Sequence, residues 1–314
     1  MTERMFYLIS RDARFRGYDS ALALAECLAL TGGKEEEERI VSSDHLADIS
    51  RAAFTAFGAE EIARGASLDE LCETVRAAAV ALPDFRVEVE KIPGALRDNS
   101  QDIQKRIADV IVGRPDLASP KHRLVVVRTP AQFRLGRIVT EPSTDWGKPL
   151  DLPHRCSRSI ADRLARAMVN LAARPGDRIL DPCCGMGTIP IQAMQVGIDA
   201  DASDINFKMI EAANQNLAAL GRPQRAKAAD LMERRGRWDA VVTDLPYGWF
   251  GHEEEHRQVE EALAHLVTLA PRVVVATASP RHAAFEGGRF SRTEAIPLPV
   301  SPRRSRYIHV AAAG

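Results

Sequence analysis

The segment Asp244-Leu245-Pro246-Tyr247-Gly248 follows the apolar run Ala240-Val241-Val242-Thr243. An acid, an imide and an aromatic at the end of a buried strand make a socket for a planar amine. The exocyclic NH2 of a nucleobase is a poor nucleophile because its lone pair is delocalised into the ring, and it gains reactivity when acceptors hold it out of conjugation. The Asp244 carboxylate and the Leu245 backbone carbonyl can accept its hydrogens, Pro246 can shape the turn, and Tyr247 can stack on an extruded base. Stacking of that kind is worth roughly 1–3 kcal/mol in nucleic-acid complexes. In isolation the same residues are equally an ordinary turn after a strand, so their meaning depends on the elements that bring partners to them.

Upstream, Asp177-Arg178-Ile179-Leu180-Asp181-Pro182-Cys183-Cys184-Gly185-Met186-Gly187-Thr188 predicts a short apolar strand that breaks into a glycine-containing loop, with a helix beginning near Ile189. Glycines let a ligand approach the backbone, and a helix N-terminus favours carboxylate or phosphate. Gly197 to Asp204 predicts a second strand ending in an acid, at about the spacing where such folds hydrogen-bond a ribose. After a helix through Asn216 and Leu217, Ala228-Ala229-Asp230 ends a third short strand in an acid that can contact a base. Glycine loop, ribose acid, base-contacting acid and amine socket follow in that order. A dinucleotide oxidoreductase shares the first two features, but Gly185-Met186-Gly187 lacks the third glycine that approaches a pyrophosphate. S-adenosylmethionine, which carries no phosphate, fits better.

On these residues the chain resembles class I S-adenosylmethionine-dependent methyltransferases of the amino-methylating kind, above all the tRNA guanine-N2 methyltransferases that carry a THUMP region. Asp181 to Thr188 is similar to the family's Asp-Pro-Phe-Cys-Gly-Ser/Thr-Gly signature, and Asp244 to Gly248 to its Asp-Pro/Leu-Pro-Tyr/Phe-Gly signature. The likeness runs from His154 to Leu220 and includes Leu164 to Leu171. Met186 departs from the family's small hydroxyl residue and Gln192 from its usual acid, both beside the implied cofactor methionine. The resemblance implies that Asp181 and the Gly185 and Gly187 backbone face the methionine part of S-adenosylmethionine, Asp204 the ribose hydroxyls and Asp230 the adenine amine, with Cys184, Thr188, Ile205 and Leu231 also in the cofactor site. It implies Asp244, Leu245, Pro246 and Tyr247 as the catalytic set, with methyl transfer to the N2 amine of a guanosine in tRNA, at position 10 or 6. Within the same chemistry stand ribosomal RNA guanine-N2 and DNA adenine-N6; outside it stands a catalytically silent RNA-binding partner. A tRNA substrate, room for an activating protein subunit and no membrane are the partner expectations.

A chain of 314 residues favours two domains. The implied fold is α/β, a Rossmann-like methyltransferase domain with a mostly parallel sheet and a C-terminal antiparallel hairpin, preceded by an α+β THUMP-like domain. The expected division is 1–140 for the RNA-binding region, 141–153 for a linker and 154–314 for the catalytic domain. Phe85-Arg86-Val87 through Leu117 and on to Val127 resembles the THUMP core, with strands at Phe85–Glu90 and Leu124–Val127 around a helix from Ser100 to Val112. Farther upstream, Phe6–Ile9 suits a strand, Ser20–Leu30 a helix, and Lys34–Arg39 a solvated turn.

No apolar run approaches the roughly 18 residues a membrane span requires and the N-terminus starts no signal peptide, so a cytoplasmic location is expected. Five cysteines form neither a disulfide framework nor a zinc pattern, and His252 with His256 reads as an exposed acidic loop, so no metal is expected. The net charge of −1 does not suit binding of nucleic acid by charge alone. The first 130 residues carry four more acids than bases, and the rest three more bases than acids. Arg155, Arg158, Arg163 and Arg166 before the loop, and Arg303, Arg304 and Arg306 near the end, are then either solvated or phosphate contacts.

Overall fold

The computed structural model describes residues 4–10, 20–95, 98–143, 150–155, 159–245, 253–280, 282–286, 290–301 and 304–313. Pro246, Tyr247, Gly248, His252, Cys156, Arg158, Arg303 and the stretch 144–149 lie outside these residues, as do the side chains of His256 and Arg304. The chain divides into two compact units: Met1–Arg11, Leu30–Ser50 and Phe54–Pro142 form one, and Asp12–Ala29, Arg51–Ala53 and Ser143–Gly314 the other.

The first unit is built on a seven-stranded sheet from β1 (Met5–Ile9), β2 (Lys34–Glu37), β3 (Ile40–Ser43), β4 (Thr55–Gly65), β5 (Phe85–Lys91), β6 (His122–Arg128) and β7 (Phe133–Thr140), in the order β2-β3-β1-β4-β7-β6-β5. Only β5 and β6 run parallel; the other neighbours are antiparallel. Strand β6 is apolar on both sides. Leu124 and Val126 pack with Phe85, Phe133 and Leu135, while Val125 and Val127 pack with Phe6, Leu8, Ile40 and Phe57. Helices α2 (Leu68–Ala77) and α3 (Ser100–Ala108) cover the first of these faces through Leu71, Val75, Ile103 and Ile107. Both helices start on a side-chain cap: Ser67 accepts from the Glu70 amide and Asn99 from the Gln101 amide, each worth about 1 kcal/mol.

The acidic run expected as a solvated turn is instead the edge strand β2. Its charge is held by arginines from distant strands: Arg134, fully buried, reaches Glu36, Glu37 and Glu61, and Arg64 reaches Glu36 and Glu61. Burial alone would raise the Glu36 carboxyl, but hydrogen bonds from Arg64, Ser42 and Arg134 overcome it and hold the group well below the usual range.

The second unit carries β8 (Arg178–Asp181), β9 (Asp199–Asp204), β10 (Ala226–Ala228), β11 (Ala240–Asp244), β12 (Arg272–Thr277), β13 (Arg292–Ser301) and β14 (Arg304–Ala312) in the order β10-β9-β8-β11-β12-β14-β13. The first five run parallel; β14 returns antiparallel to β12 and pairs with β13 as a hairpin at the edge. This is the Rossmann-like sheet with its antiparallel hairpin. Helices α4 (Asp162–Ala172), α5 (Thr188–Gln195), α6 (Phe207–Ala219) and α7 (Glu253–Leu269) supply the helical layers. Residues Glu253–His256, expected in a loop, form the first turn of α7.

Helix α1 (Ser20–Thr31) belongs to this second unit through Ala29, although it lies within the first 53 residues. Its buried Glu26 accepts from the Asn170 side chain on α4 at 2.6 Å and from the Ala53 amide at 2.7 Å. Arg163 Nε on α4 donates to the Ala53 carbonyl at 2.7 Å, and Arg51 to the Ala173 carbonyl at 2.8 Å.

Candidate active site

Strands β8 to β12 all end on one edge of the second sheet, and the strand order reverses between β8 and β11. The chain runs outward from β8 through β9 to β10, then returns to pair β11 with the other side of β8. Helices diverging to opposite faces leave a crevice at such a point, which is where open α/β sheets take their ligands. The sequence places an acid at the tip of three of these strands, Asp181, Asp204 and Asp244, and a fourth, Asp230, just past β10.

The loop after β8 is shaped by its glycines. Gly185 has φ +51° and Gly187 φ +90°, conformations that cost side-chain-bearing residues about 1–2 kcal/mol. A Cβ on Gly185 would meet nothing within 4 Å, so this peptide borders open space, whereas one on Gly187 would lie 3.4 Å from the Ala213 Cβ of α6. Gly187 is the N-cap of α5, and Thr188 its first residue. The Gly185 amide donates to Asp204 Oδ2 at 3.0 Å, and the Asn206 amide to Asp204 Oδ1 at 2.8 Å. A carboxylate offers about four lone-pair positions, so Asp204 is oriented by two amides and keeps capacity for hydroxyl donors. Beside it, Ile205 and Phe207 are 75% and 62% exposed, an apolar surface left uncovered next to the acid. Asp230 accepts from the Met232 amide at 2.8 Å and caps the short turn Leu231–Glu233; the half-buried Leu231 packs against the core under β11.

Asp181 is buried beneath the loop, with Oδ1 accepting from the Thr243 hydroxyl at 2.8 Å and the Cys183 amide at 3.2 Å. Burial pushes its carboxyl up to about 7; the Thr243 and Cys183 hydrogen bonds oppose the rise, and the nearby Asp244 and Asp204 add to it. Burial likewise pushes the Cys183 and Cys184 thiols well above the ordinary range, followed by Asp181 and Asp204, so both stay neutral. The Cys184 side chain packs with Ala202, Ile210, Ala213 and Ala226, and its backbone bonds to Ser203 and Gly187.

Asp244 ends β11 beside Leu245, whose amide donates to the Ala276 carbonyl at 3.2 Å and whose side chain is buried. Burial lifts the Asp244 carboxyl to about 6, against the pull of Arg306. Its Oδ2 lies 3.4 Å from the Arg306 guanidinium of β14, while Oδ1 is buried with no hydrogen-bond partner among the described residues. A buried acceptor left unpaired costs about 1–3 kcal/mol, and functional sites are where such costs are retained. Four acids, a glycine loop that borders open space and an exposed apolar strip suit a nucleoside with an attached amino acid. Among the described residues no cluster suits a metal ion.

The fold corrects three members of the arginine clusters, Arg163, Arg166 and Arg306, while Arg155 is exposed. Arg163 and Arg166 are neither solvated nor at a phosphate surface. Both are buried in α4, Arg166 donating to Gln192 and Gln195 of α5 at 2.9 Å each. Gln192 is thus the partner of a buried guanidinium. Arg306 turns to Asp244 instead of projecting from the hairpin tip. Sequence reasoning missed Thr243 and Asn216 as well. The only sign of Thr243 was a hydroxyl at the end of an apolar run. Asn216 bridges three groups, accepting from the His154 amide and donating to the His154 and Met186 carbonyls, each at 3.0 Å. It thereby ties the glycine loop to the segment before α4.

Residues 155–266 match the UPF0020 family, described as RMKL-like, methyltransferase domain. The tRNA (guanine(10)-N2)-dimethyltransferase of Methanothermobacter thermautotrophicus is 29% identical over 77% of this chain and 77% of its own. The tRNA (guanine(6)-N2)-methyltransferase of Thermus thermophilus is 31% identical over 54% of this chain and 56% of its own. The crystal structure of TrmN from Thermus thermophilus superposes with a TM-score of 0.50 at 20% identity, covering 99% of this chain and 100% of that one, which supports the same fold. No helix among the described residues is long and apolar enough to cross a membrane. The glycine loop and the strand-end acids thus lie on one edge of a Rossmann-like sheet, within a segment that matches a methyltransferase domain, in a chain similar to tRNA guanine-N2 methyltransferases.

Proposed function

We propose that this protein methylates the exocyclic N2 amine of a guanosine in tRNA, at position 10 or 6, using S-adenosylmethionine. The observation that carries the reading is the buried Oδ1 of Asp244, which has no hydrogen-bond partner among the described residues, at the switch point of the sheet. An acceptor so placed suits an N–H donor that arrives with the substrate. The relatives named above for guanine-N2 chemistry on tRNA favour that amine over others.

When bound, the cofactor supplies an electrophilic methyl group on sulfur. The chain's own residues would do the rest. Asp204, held by the Gly185 and Asn206 amides, would accept from ribose hydroxyls, with Ile205 alongside. Asp230 and Leu231 would border the adenine, and Asp181, Cys184, Gly185, Gly187 and Thr188 the methionine part. Asp244 and the Leu245 carbonyl would accept the hydrogens of the guanine amine, and Pro246 and Tyr247 would shape the turn and stack on the base. Positioning accounts for most of the acceleration. Asp244 need not be a strong base, because the nitrogen becomes acidic as the methyl arrives and its proton can pass to this carboxylate or to water. The first unit would grip the folded tRNA while one base is extruded.

The test is methyl transfer from labelled S-adenosylmethionine to unmodified tRNA, ribosomal RNA and duplex DNA, with Asp244→Ala as control and nucleoside analysis of the product. N2-methylguanosine in tRNA, lost in the variant, is the expected result. Label in another nucleoside or only in another nucleic acid refutes the substrate assignment, and no label in any of the three refutes the activity of the chain alone.

A further inference from the structure

We propose that Arg306 is a positioning residue for the transfer: its guanidinium holds one oxygen of Asp244 so that the other is presented to the hydrogen of the incoming amine. This deepens the reading of the site as an amine methyltransferase and rests on it. Asp244 pairs with Ala276 of β12, and Ala276 with Ile308 of β14, so the three residues form one row across the sheet. Because β14 runs antiparallel to β12, Arg306, two residues before Ile308 and on the same face of its strand, is displaced from that row toward the ligand edge. The residue between is an alanine, whose methyl leaves the guanidinium a path across two strand spacings of about 4.8 Å each. It ends with Nη1 3.4 Å from Asp244 Oδ2, both side chains 19% exposed.

An arginine meant for RNA phosphate would stand in solvent, whereas this one points inward at the acid. The consequence for Asp244 is twofold. One oxygen lies in the ion pair, which favours the carboxylate torsion that leaves the other oxygen for the amine. The acid is also kept charged against its surroundings, since burial raises it while Asp181 and the Cys183 loop, facing it from the β8 side, supply no positive charge. A protonated Asp244 presents a donor where the amine needs an acceptor, so loss of Arg306 acts on protonation state more than on substrate binding.

The experiment compares Arg306→Met, which keeps an apolar stem, and Arg306→Lys with the wild type. In protein labelled with carbon-13 at aspartate carboxyls, Asp244→Asn identifies the resonance, and its titration midpoint should rise by about one pH unit in Arg306→Met and return most of the way in Arg306→Lys. In methyl transfer to unmodified tRNA, the acid limb of kcat should move up by the same amount. That gives about a tenfold loss below the limb and a small loss on the plateau, with KM for tRNA unchanged. An unmoved midpoint overturns the proposal, as does an unmoved acid limb accompanied by a raised KM for tRNA, the signature of a phosphate contact. Absence of methyl transfer by the wild type would instead refute the functional reading, and the titration would still decide whether Arg306 controls Asp244.

Discussion

Asp181 is buried with a carboxyl near 7, whereas in the unfolded chain it titrates near 3.8. Below about pH 4 both states hold the proton and stability is complete. Above that the unfolded chain releases its proton while the folded one retains it, so stability falls with rising pH until about 7 and is then level. Three units correspond to about 4 kcal/mol. Asp181→Asn removes the titration while leaving an oxygen that can accept from Thr243 and Cys183. The amide nitrogen adds its own desolvation cost of about 1–3 kcal/mol at every pH, so the slope is the decisive quantity. The assay is thermal unfolding between pH 4.5 and 7.5 followed by tryptophan fluorescence, since Trp238 is buried in the second unit. At about 2–4 °C per kcal/mol, the wild type should lose on the order of 10 °C more across this range than the variant. Near pH 7.5 the variant should match or exceed the wild type in Tm while binding S-adenosylmethionine more weakly. Parallel curves, with the variant less stable throughout by a constant amount, would refute the claim that Asp181 carries a strained charge.

Three further substitutions test the loop. Asn216→Ala removes three hydrogen bonds from a buried position and should cost about 1–3 kcal/mol while weakening S-adenosylmethionine binding, measured by denaturation and calorimetry. Gly185→Ala and Gly187→Ala should each cost about 1–2 kcal/mol from their positive φ, since a methyl at 187 would stand at ordinary contact distance, 3.4 Å, from the Ala213 Cβ; an unchanged Tm in either variant would contradict the backbone argument.

The elements that carry the strand-end acids were legible because they are local. The runs Ile179-Leu180, Val241-Val242 and Val273-Val274-Val275 need no partner to be recognised as strands, and a loop with two glycines marks where one of them stops. What sequence hid was pairing at a distance. Arg306 meets Asp244 only because β14 folds back antiparallel beside β12, and no spacing in the chain encodes that return. Arg163 and Arg166 looked like surface cations because a guanidinium can be buried only when acceptors arrive from elsewhere. Here they come from Ala53 and from Gln192 and Gln195. The acidic β2 misled for the same reason, its countercharges lying on β4 and β7.

Helix α1 imposes an order on the protein's birth. Glu26 leaves the ribosome 144 residues before Asn170, the α4 side chain that bonds it, and at 5–20 residues per second the wait is on the order of ten seconds. During that interval the first unit's strands can pair while Leu22, Ala25 and Cys27, all destined for burial, have no surface of their own unit to cover. The nascent chain therefore carries an apolar helix whose native cover arrives only with α4. A gene fragment that starts at residue 150 would produce a catalytic half with the seat of that helix laid bare.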